Sequence, residues 1–391
     1  MQTLTCPQGD FKLERFPLRR KETLRPWDAA DEYLLAHCAE FKDHSETVLV
    51  LNDTFGALTL ALSTSALTMV TDSQISRHAL THNLALNPAP QHPPSVLNCL
   101  DQWPSNPALV LIKVPRVRSL LEFQLHRLRD VVGPETVIVA GGMTKEIHRS
   151  TLAAFERFIG PTTTSLARKK ARLILSNFAV DRDPGCYEPV NTYTPLQGGI
   201  SLSEYPGVFS RGGLDQGTQL LLANLPTPGA GERLVDLGCG SGLLGLSLAH
   251  QYPHCQVEFV DESHLAMASV QLASQADGVL QNHLTFTLAD GMRDHPGNVD
   301  HIICNPPFHQ GRAKGDHVAW GLFHQAHRAL KPGGELRIVG NRHLGYHTKL
   351  KRIFGGCTVV ASNRKFVVLS AVKSKGHASR SRLDQVDPIP V

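Results

Sequence analysis

Two short segments of this chain combine residue types that can do chemistry. Asn305-Pro306-Pro307-Phe308 follows the apolar run His301-Ile302-Ile303-Cys304, and a glycine-rich turn, Asp236-Leu237-Gly238-Cys239-Gly240-Ser241-Gly242, lies upstream. An aromatic amine is a poor nucleophile because its lone pair is delocalised into the ring. Two acceptors, the Asn305 side-chain oxygen and the Pro306 carbonyl, can grip its hydrogens and aim the lone pair. Pro306 and Pro307 fix the backbone so that both acceptors point one way, and Phe308 can stack on a base. Such a site needs no strong general base, since proximity and orientation carry much of the rate. A base inside a nucleic-acid stack must first leave it. Paired with a cofactor cradle, the turn implies methyl transfer to an exocyclic nitrogen of a nucleic-acid base.

The glycine turn supplies that cradle. Leu234-Val235-Asp236-Leu237 has the pattern of a buried strand, and Gly238, Gly240 and Gly242 let the backbone turn and approach a ligand. Leu243 to Leu248 then open a helix. Gly-x-Gly-x-Gly alone is a weak signal, shared with dinucleotide sites and plain turns. The next strands sharpen it. Val257-Glu258-Phe259-Val260 ends in Asp261, whose carboxylate can accept both ribose hydroxyls of an adenosine. Leu284 to Ala289 ends in Asp290, placed to bond an adenine amino group. Asp236 favours S-adenosylmethionine over NAD, because a carboxylate there attracts the ammonium of the methionine end. The competing role for Asp261 and Asp290 is to cap helix N-termini.

The elements that must position these turns occur twice. Val48 to Leu58 matches the pattern of Leu234 to Leu244, Leu109 to Pro115 that of His301 to Pro307, and Gly133 to Val139 that of Gly333 to Val339. Phe158-Ile159-Gly160 and Arg172 to Leu175 match Ile353-Phe354-Gly355 and Phe366 to Leu369. The offsets drift slowly (Val50 to Asp236, 186; Lys113 to Asn305, 192; Glu135 to Glu335, 200), as loop insertions would make them. This period is far too long for a solenoid. Short β-branched runs alternate with helical stretches in each half. The pattern predicts an α/β protein of two tandem domains from a duplication, each a mostly parallel sheet ending in an antiparallel hairpin. The expected boundaries are 1–180 for the first domain, 181–200 for a turn-rich linker, 201–374 for the second domain and 375–391 for a flexible basic tail. Where the second half has Asp236, Gly238 and Gly240, the first has Val50, Asn52 and Thr54; only Gly56 survives. Lys113-Val114-Pro115-Arg116 replaces the Asn-Pro-Pro-Phe turn. The first half should therefore keep the fold without the chemistry, with Asp53 and Asp72 leaving room for weak residual binding.

Composition sets outer bounds. At 391 residues two domains are expected, and 41% hydrophobic residues suffice for real cores. A net charge of +4 permits a nucleic-acid partner without demanding one. The eight cysteines are scattered, with no CxxC pair and no close Cys/His cluster, so neither a metal site nor a disulfide frame is expected, and a reducing compartment is. No signal peptide is evident, and no apolar run approaches the length that spans a membrane. The expectation is a cytoplasmic protein.

The quoted motifs, over nearly the whole chain, resemble the ribosomal RNA guanine-N2 methyltransferases of the RlmG/RsmC type. The likeness is greatest to the branch acting on large-subunit (23S) RNA. It rests on Trp27-Asp28-Ala29-Ala30-Asp31-Glu32-Tyr33-Leu34-Leu35, Leu51 to Leu58, Gly160-Pro161-Thr162-Thr163-Thr164 and Asn341-Arg342-His343-Leu344. The resemblance implies two Rossmann-like methyltransferase domains, monomethylation of one 23S guanine at N2 on protein-poor RNA, and a cofactor pocket flanked by Val208-Phe209-Ser210-Arg211 and Gly213-Leu214-Asp215. The same turn serves 16S guanine or adenine N6, and a non-enzymatic assembly protein is the rival of another class. Expected RNA-contacting patches are Arg168-Lys169-Lys170-Ala171-Arg172, Lys349-Leu350-Lys351-Arg352, and Lys373 and Lys375 with Arg380 and Arg382; a solvated face is the equal alternative for each. His309 and Gln310 either touch substrate or begin a loop. Trp320 reads more as core than as pocket lining, with His317 beside it.

Overall fold

The computed structural model describes residues 1–19, 22–40, 47–62, 66–90, 92–195, 199–209, 213–276, 283–307 and 312–375. They divide into two compact units. One holds Met1–Gly213, Asp261–Ala276 and Leu288–Asp290, and the other holds the remaining described residues.

The chain opens with a hairpin of β1 (Gln2–Cys6) and β2 (Gly9–Leu13), then helix α1 (Ala29–Cys38). Asp28 caps α1: its side chain accepts from the amides of Ala30 and Asp31, while Asp31 Oδ2 accepts from the Asp28 amide at 2.8 Å. Reciprocal capping of this kind satisfies orphan donors of the first turn. The first sheet follows: β3 (Val48–Leu51), α2 (Ala57–Ala61), β4 (Leu67–Val70), α3 (Gln74–Ala85), β5 (Ser95–Leu97), β6 (Leu109–Lys113), α4 (Arg118–Leu128), β7 (Val137–Met143), α5 (Arg149–Phe158), β8 (Thr162–Thr164) and β9 (Ala171–Ser176). Strand order is β5-β4-β3-β6-β7-β9-β8. β3 and β4 are buried at every residue, the mark of parallel strands covered on both faces. One core gathers Leu49, Leu51, Ile112, Phe155 and Phe158; the other gathers Leu34, Leu35, Val50, Leu58 and Leu111. Residues 191–193 of the expected linker form β10 (Asn191–Tyr193), which pairs antiparallel with β11 (Leu202–Glu204).

The second sheet repeats the first. After α6 (Gln216–Leu222) come β12 (Arg233–Leu237), α7 (Leu243–Gln251), β13 (Gln256–Asp261), α8 (His264–Ala276), β14 (Leu284–Leu288), β15 (Val299–Cys304), α9 (Arg312–Ala329), β16 (Leu330–Asn341), α10 (Tyr346–Phe354), β17 (Thr358–Ser362) and β18 (Phe366–Val372). Strand order is β14-β13-β12-β15-β16-β18-β17, the same permutation. β12 pairs parallel with β13 and β15, whereas β18 runs antiparallel to β16 and β17. Each half thus has the expected parallel sheet and antiparallel end. The quoted sequence echoes fall on matching elements, the last of them partly at the ends of α5 and α10: Val50 lies opposite Leu111, as Asp236 lies opposite Ile303. Gly56 and Gly242 each begin the following helix with positive φ, 85° and 80°.

Within the first unit, the residues after β4 and those after β13 exchange bonds reciprocally. Ser73 Oγ donates to Glu262 Oε2 at 2.5 Å and Ser263 Oγ to Asp72 Oδ2 at 2.6 Å. The amides of Gln74 and His264 donate to the carbonyls of Glu262 and Asp72. Helix α8 therefore joins this unit, and its Leu265 and Ala266 enter the core beside Phe123 and Leu121.

Candidate active site

β12 is the switch point of the second sheet: its neighbours, β13 and β15, are reached from opposite sides. Ligands of open α/β sheets bind beyond the strand ends at such a point. Leu237 lies opposite Cys304, so the glycine turn and Asn305 leave adjacent parallel strands at the same level. Sequence-predicted Asp236, Gly238, Gly240, Gly242 and Asn305 are thus brought together by register.

The turn is built as a cradle. Gly238 and Gly240 have φ of 70° and 54°, where a side chain is strained. A Cβ on Gly238 would meet no described atom within 4 Å, so open space stands over the backbone. The amides of Gly238 and Cys239 donate to the Val260 carbonyl at 2.8 and 3.2 Å, tying the turn to β13. Buried Asp236 accepts the Gly245 amide of α7 at 2.8 Å through Oδ2. It therefore anchors the helix that follows the turn, in addition to any ligand role. Asp261 ends β13; its Oδ1 accepts the Ser263 amide at 3.0 Å and its carbonyl accepts the Ala289 amide at 2.9 Å. Asp290 follows β14 by two residues. Phe209 is half exposed. Ser210, Phe308, His309 and Gln310 lie outside the described residues.

Asn305 is half-buried and Pro306 buried. Asn305 Nδ2 donates to Thr218 Oγ1 at 2.9 Å, and the Thr218 hydroxyl donates in turn to Asp215 Oδ2. Asp215 Oδ1 accepts the amides of Gly217 and Thr218, capping α6. Asn305 Oδ1 is buried and has no hydrogen-bond partner among the described residues. Leaving a buried acceptor unmet costs about 1–3 kcal/mol. Thr218 and Gly245 were not singled out as site residues from the sequence. Gly245 had a signal, a glycine inside a helical pattern: a Cβ there would come within 2.4 Å of the Phe259 ring and 3.0 Å of Asp236. Trp320 is half-buried on α9, edge-on to His324 and under the Arg352 guanidinium, and His317 is exposed.

The first sheet shows what became of the same place. Asn52 keeps the backbone of Gly238, with φ of 65°. Its amide pairs reciprocally with buried Gln124, at 2.8 and 2.7 Å, and donates to the Lys113 carbonyl at 3.0 Å. The Lys113 ammonium lies 2.7 Å from Asp28 and 2.9 Å from Asp31, the two capping carboxylates of α1. Burial alone would push this ammonium down, but the two aspartates hold it above the usual lysine range. Both surviving acids are engaged: Asp53 accepts from the Gly56, Ala57 and Thr59 amides and the Thr59 hydroxyl. Asp72 accepts from Ser263 and the Leu265 amide.

No helix among the described residues is long and apolar enough to cross a membrane, and no group of three or more His, Cys, Asp or Glu among them could hold a metal ion.

A doubly repeated 3-2-1-4-5-7-6 sheet, with a glycine cradle and an Asn-Pro-Pro turn in the second copy, defines a methyltransferase. Residues 199–370 match the family described as methyltransferase small domain, and residues 1–180 match that described as RLMG N-terminal domain. The chain is 47% identical over 380 residues to ribosomal RNA large subunit methyltransferase G of Erwinia tasmaniensis, covering 95% of this chain and 100% of that one. It is 44% identical to the protein of the same name from Pseudoalteromonas translucida, covering 96% and 99%. The chain belongs to this large subunit methyltransferase G family. Among solved structures it is similar to the T. thermophilus 16S rRNA N2 G1207 methyltransferase in complex with AdoMet and guanosine. That likeness has a TM-score of 0.76 and 21% identity, over 95% of this chain and 97% of that one.

Proposed function

We infer that this protein transfers a methyl group from S-adenosylmethionine to the exocyclic N2 amino group of one guanine in 23S ribosomal RNA. Supporting this are the family to which it belongs and one observation above all: the unmet Asn305 carbonyl oxygen beside an open glycine cradle, at the ends of adjacent strands. S-adenosylmethionine supplies the electrophilic methyl group. Gly238, Gly240 and Gly242 would cradle it, with Asp236 facing its ammonium end, Asp261 its ribose, Asp290 its adenine, and Phe209 and Ser210 flanking. Asn305 Oδ1 and the Pro306 carbonyl accept the two amino hydrogens, which turns the nitrogen lone pair toward the donor. Phe308 stacks on the extruded base.

In this reading residues 201–374 perform catalysis and residues 1–180 hold protein-poor RNA in the cytoplasm. The exposed Arg168, Lys169 and Lys170 at the β8–β9 turn are suited to phosphate contacts, as are Lys351 and Arg352 on α10. The deciding experiment transfers labelled methyl to deproteinised 23S and 16S RNA from a strain lacking the gene, followed by nucleoside analysis. Label in 23S RNA as N2-methylguanosine is expected. Label in 16S RNA or in adenosine would overturn the substrate; label in neither would revive a non-enzymatic assembly role.

A further inference from the structure

We propose that Asp215 and Thr218 are positioning residues that dictate which way the Asn305 amide faces. The inference rests on the methyl-transfer reading above. An amide group has two faces of opposite hydrogen-bonding sense, and only one of them can hold an amine by its hydrogens. Presenting the NH₂ end of Asn305 to a substrate amine would set donor against donor, so catalysis requires the oxygen outward and something to keep it there.

The chain of bonds leading away from Asn305 does this by elimination. A carboxylate has lone pairs but no proton to give. Asp215 commits Oδ1 to the amides of Gly217 and Thr218, and Oδ2 accepts the hydroxyl of Thr218. The single hydroxyl proton of Thr218 is thereby spent on Asp215, so its oxygen has only lone pairs left toward Asn305. The Asn305 side chain must answer with its NH₂, at 2.9 Å, and Oδ1 is turned the other way, where no described residue meets it. An acidic residue at Asp215 thus acts on the polarity of a group two hydrogen bonds distant. Asp215 and Thr218 sit on the α6 cap, far in sequence from Asn305, and the cap bonds that hold them involve no substrate atom.

The test uses the full-length protein, labelled methyl transfer to deproteinised 23S RNA, and S-adenosylhomocysteine binding measured in parallel. Thr218→Val keeps shape but breaks the relay. Asp215→Asn can still cap α6, but it offers an NH₂ to Thr218, whose proton is then free to point at Asn305 and reverse the amide. Both variants should lose about 10²-fold in kcat, the scale of a misaligned reacting group. KM for RNA and the S-adenosylhomocysteine Kd should stay within a few-fold of wild type. Thr218→Ser, which restores the hydroxyl, should recover most of the loss. Wild-type kcat in Thr218→Val, with Asn305→Ala inactive, would overturn the positioning role and leave the methyl-transfer reading standing. An active Asn305→Ala would instead remove Asn305 from catalysis. Equal losses in Thr218→Val and Thr218→Ser, tracking the melting temperature, would make the pair merely structural and also overturn the proposal.

Discussion

Lys113 and Asn305 hold the same position in their two sheets: Lys113 follows Ile112, which lies opposite Leu51, and Asn305 follows Cys304, which lies opposite Leu237. Where Asn305 presents an unmet oxygen, Lys113 is closed off by Asp28 and Asp31. In the first copy this place is filled by the chain's own side chains, and α1 supplies the counterions with its capping residues.

A prediction about stability follows from that closure. Lys113→Met leaves two carboxylates without their cation, one of them, Asp31, buried. Removing one partner of a buried ion pair costs about 3–5 kcal/mol. The triple variant Lys113→Met, Asp28→Asn, Asp31→Asn keeps the cap of α1 and leaves no stranded charge, so it should recover most of the loss. Urea midpoints of the two variants check this; equal destabilisation would mean that the charges do not act as a group.

The reciprocal serine–carboxylate exchange predicts a pH dependence. Burial pushes the Asp72 carboxyl up to about 6 and that of Glu262 up to about 7; Asp261 adds to both, while Ser263 and Ser73 respectively oppose. A carboxyl whose folded-state value is raised binds its proton more tightly when folded. Its stabilisation is complete below the unfolded value, near 4, and is lost as pH rises through the folded value. The first unit should therefore lose on the order of a few kcal/mol between pH 5 and pH 8 from this pair. Thermal melts over that range should flatten in Asp72→Asn, Glu262→Gln. A wild-type melting temperature that rises with pH, and equally so in the double variant, would refute it.

Gly245→Ala should damage the cofactor site from behind. The added methyl would sit 2.4 Å from the Phe259 ring and 3.0 Å from Asp236, and α7 must move off the sheet to admit it. Overpacking of this sort costs about 1–3 kcal/mol. It also pulls the Gly245 amide from Asp236. We expect a lower melting temperature together with at least tenfold weaker S-adenosylhomocysteine binding, the loss that a shift of about 1.4 kcal/mol gives. Unchanged affinity would show that the turn is held independently of the helix.

What could be read in the sequence was local. Apolar runs of four to six residues, ending in glycine, proline, an acid or an asparagine, marked the strands and the two turns, because burial and turn chemistry act within a few residues. The sequence could not show which distant side chains meet there. Thr218 and Asn305 are 87 residues apart and Lys113 and Asp28 are 85; no periodicity links either pair. Helix α8 is another case. Its sequence position is within the second half, yet its contacts place it with the first unit. The segment Trp27 to Leu35 was legible as a family signature, but not as the source of the Lys113 counterions.

The first copy also predicts how to disable the second without unfolding it. Asn52 adopts φ of 65° where Gly238 adopts 70°, so the backbone of this turn accepts asparagine. Asparagine tolerates that conformation better than other side chains do. A Cβ at Gly238 would meet no described atom within 4 Å, so none of the described residues resists it. The side chain would instead occupy the space over the cradle. Gly238→Asn should then melt within a few degrees of wild type, since an exposed change of this kind costs about 1 kcal/mol or less. Its S-adenosylhomocysteine affinity should fall by more than 10²-fold, about 2.8 kcal/mol. Calorimetric titration beside a thermal melt separates the two quantities. Retained binding in a folded Gly238→Asn protein would mean that the open space over Gly238 is not where the cofactor lies.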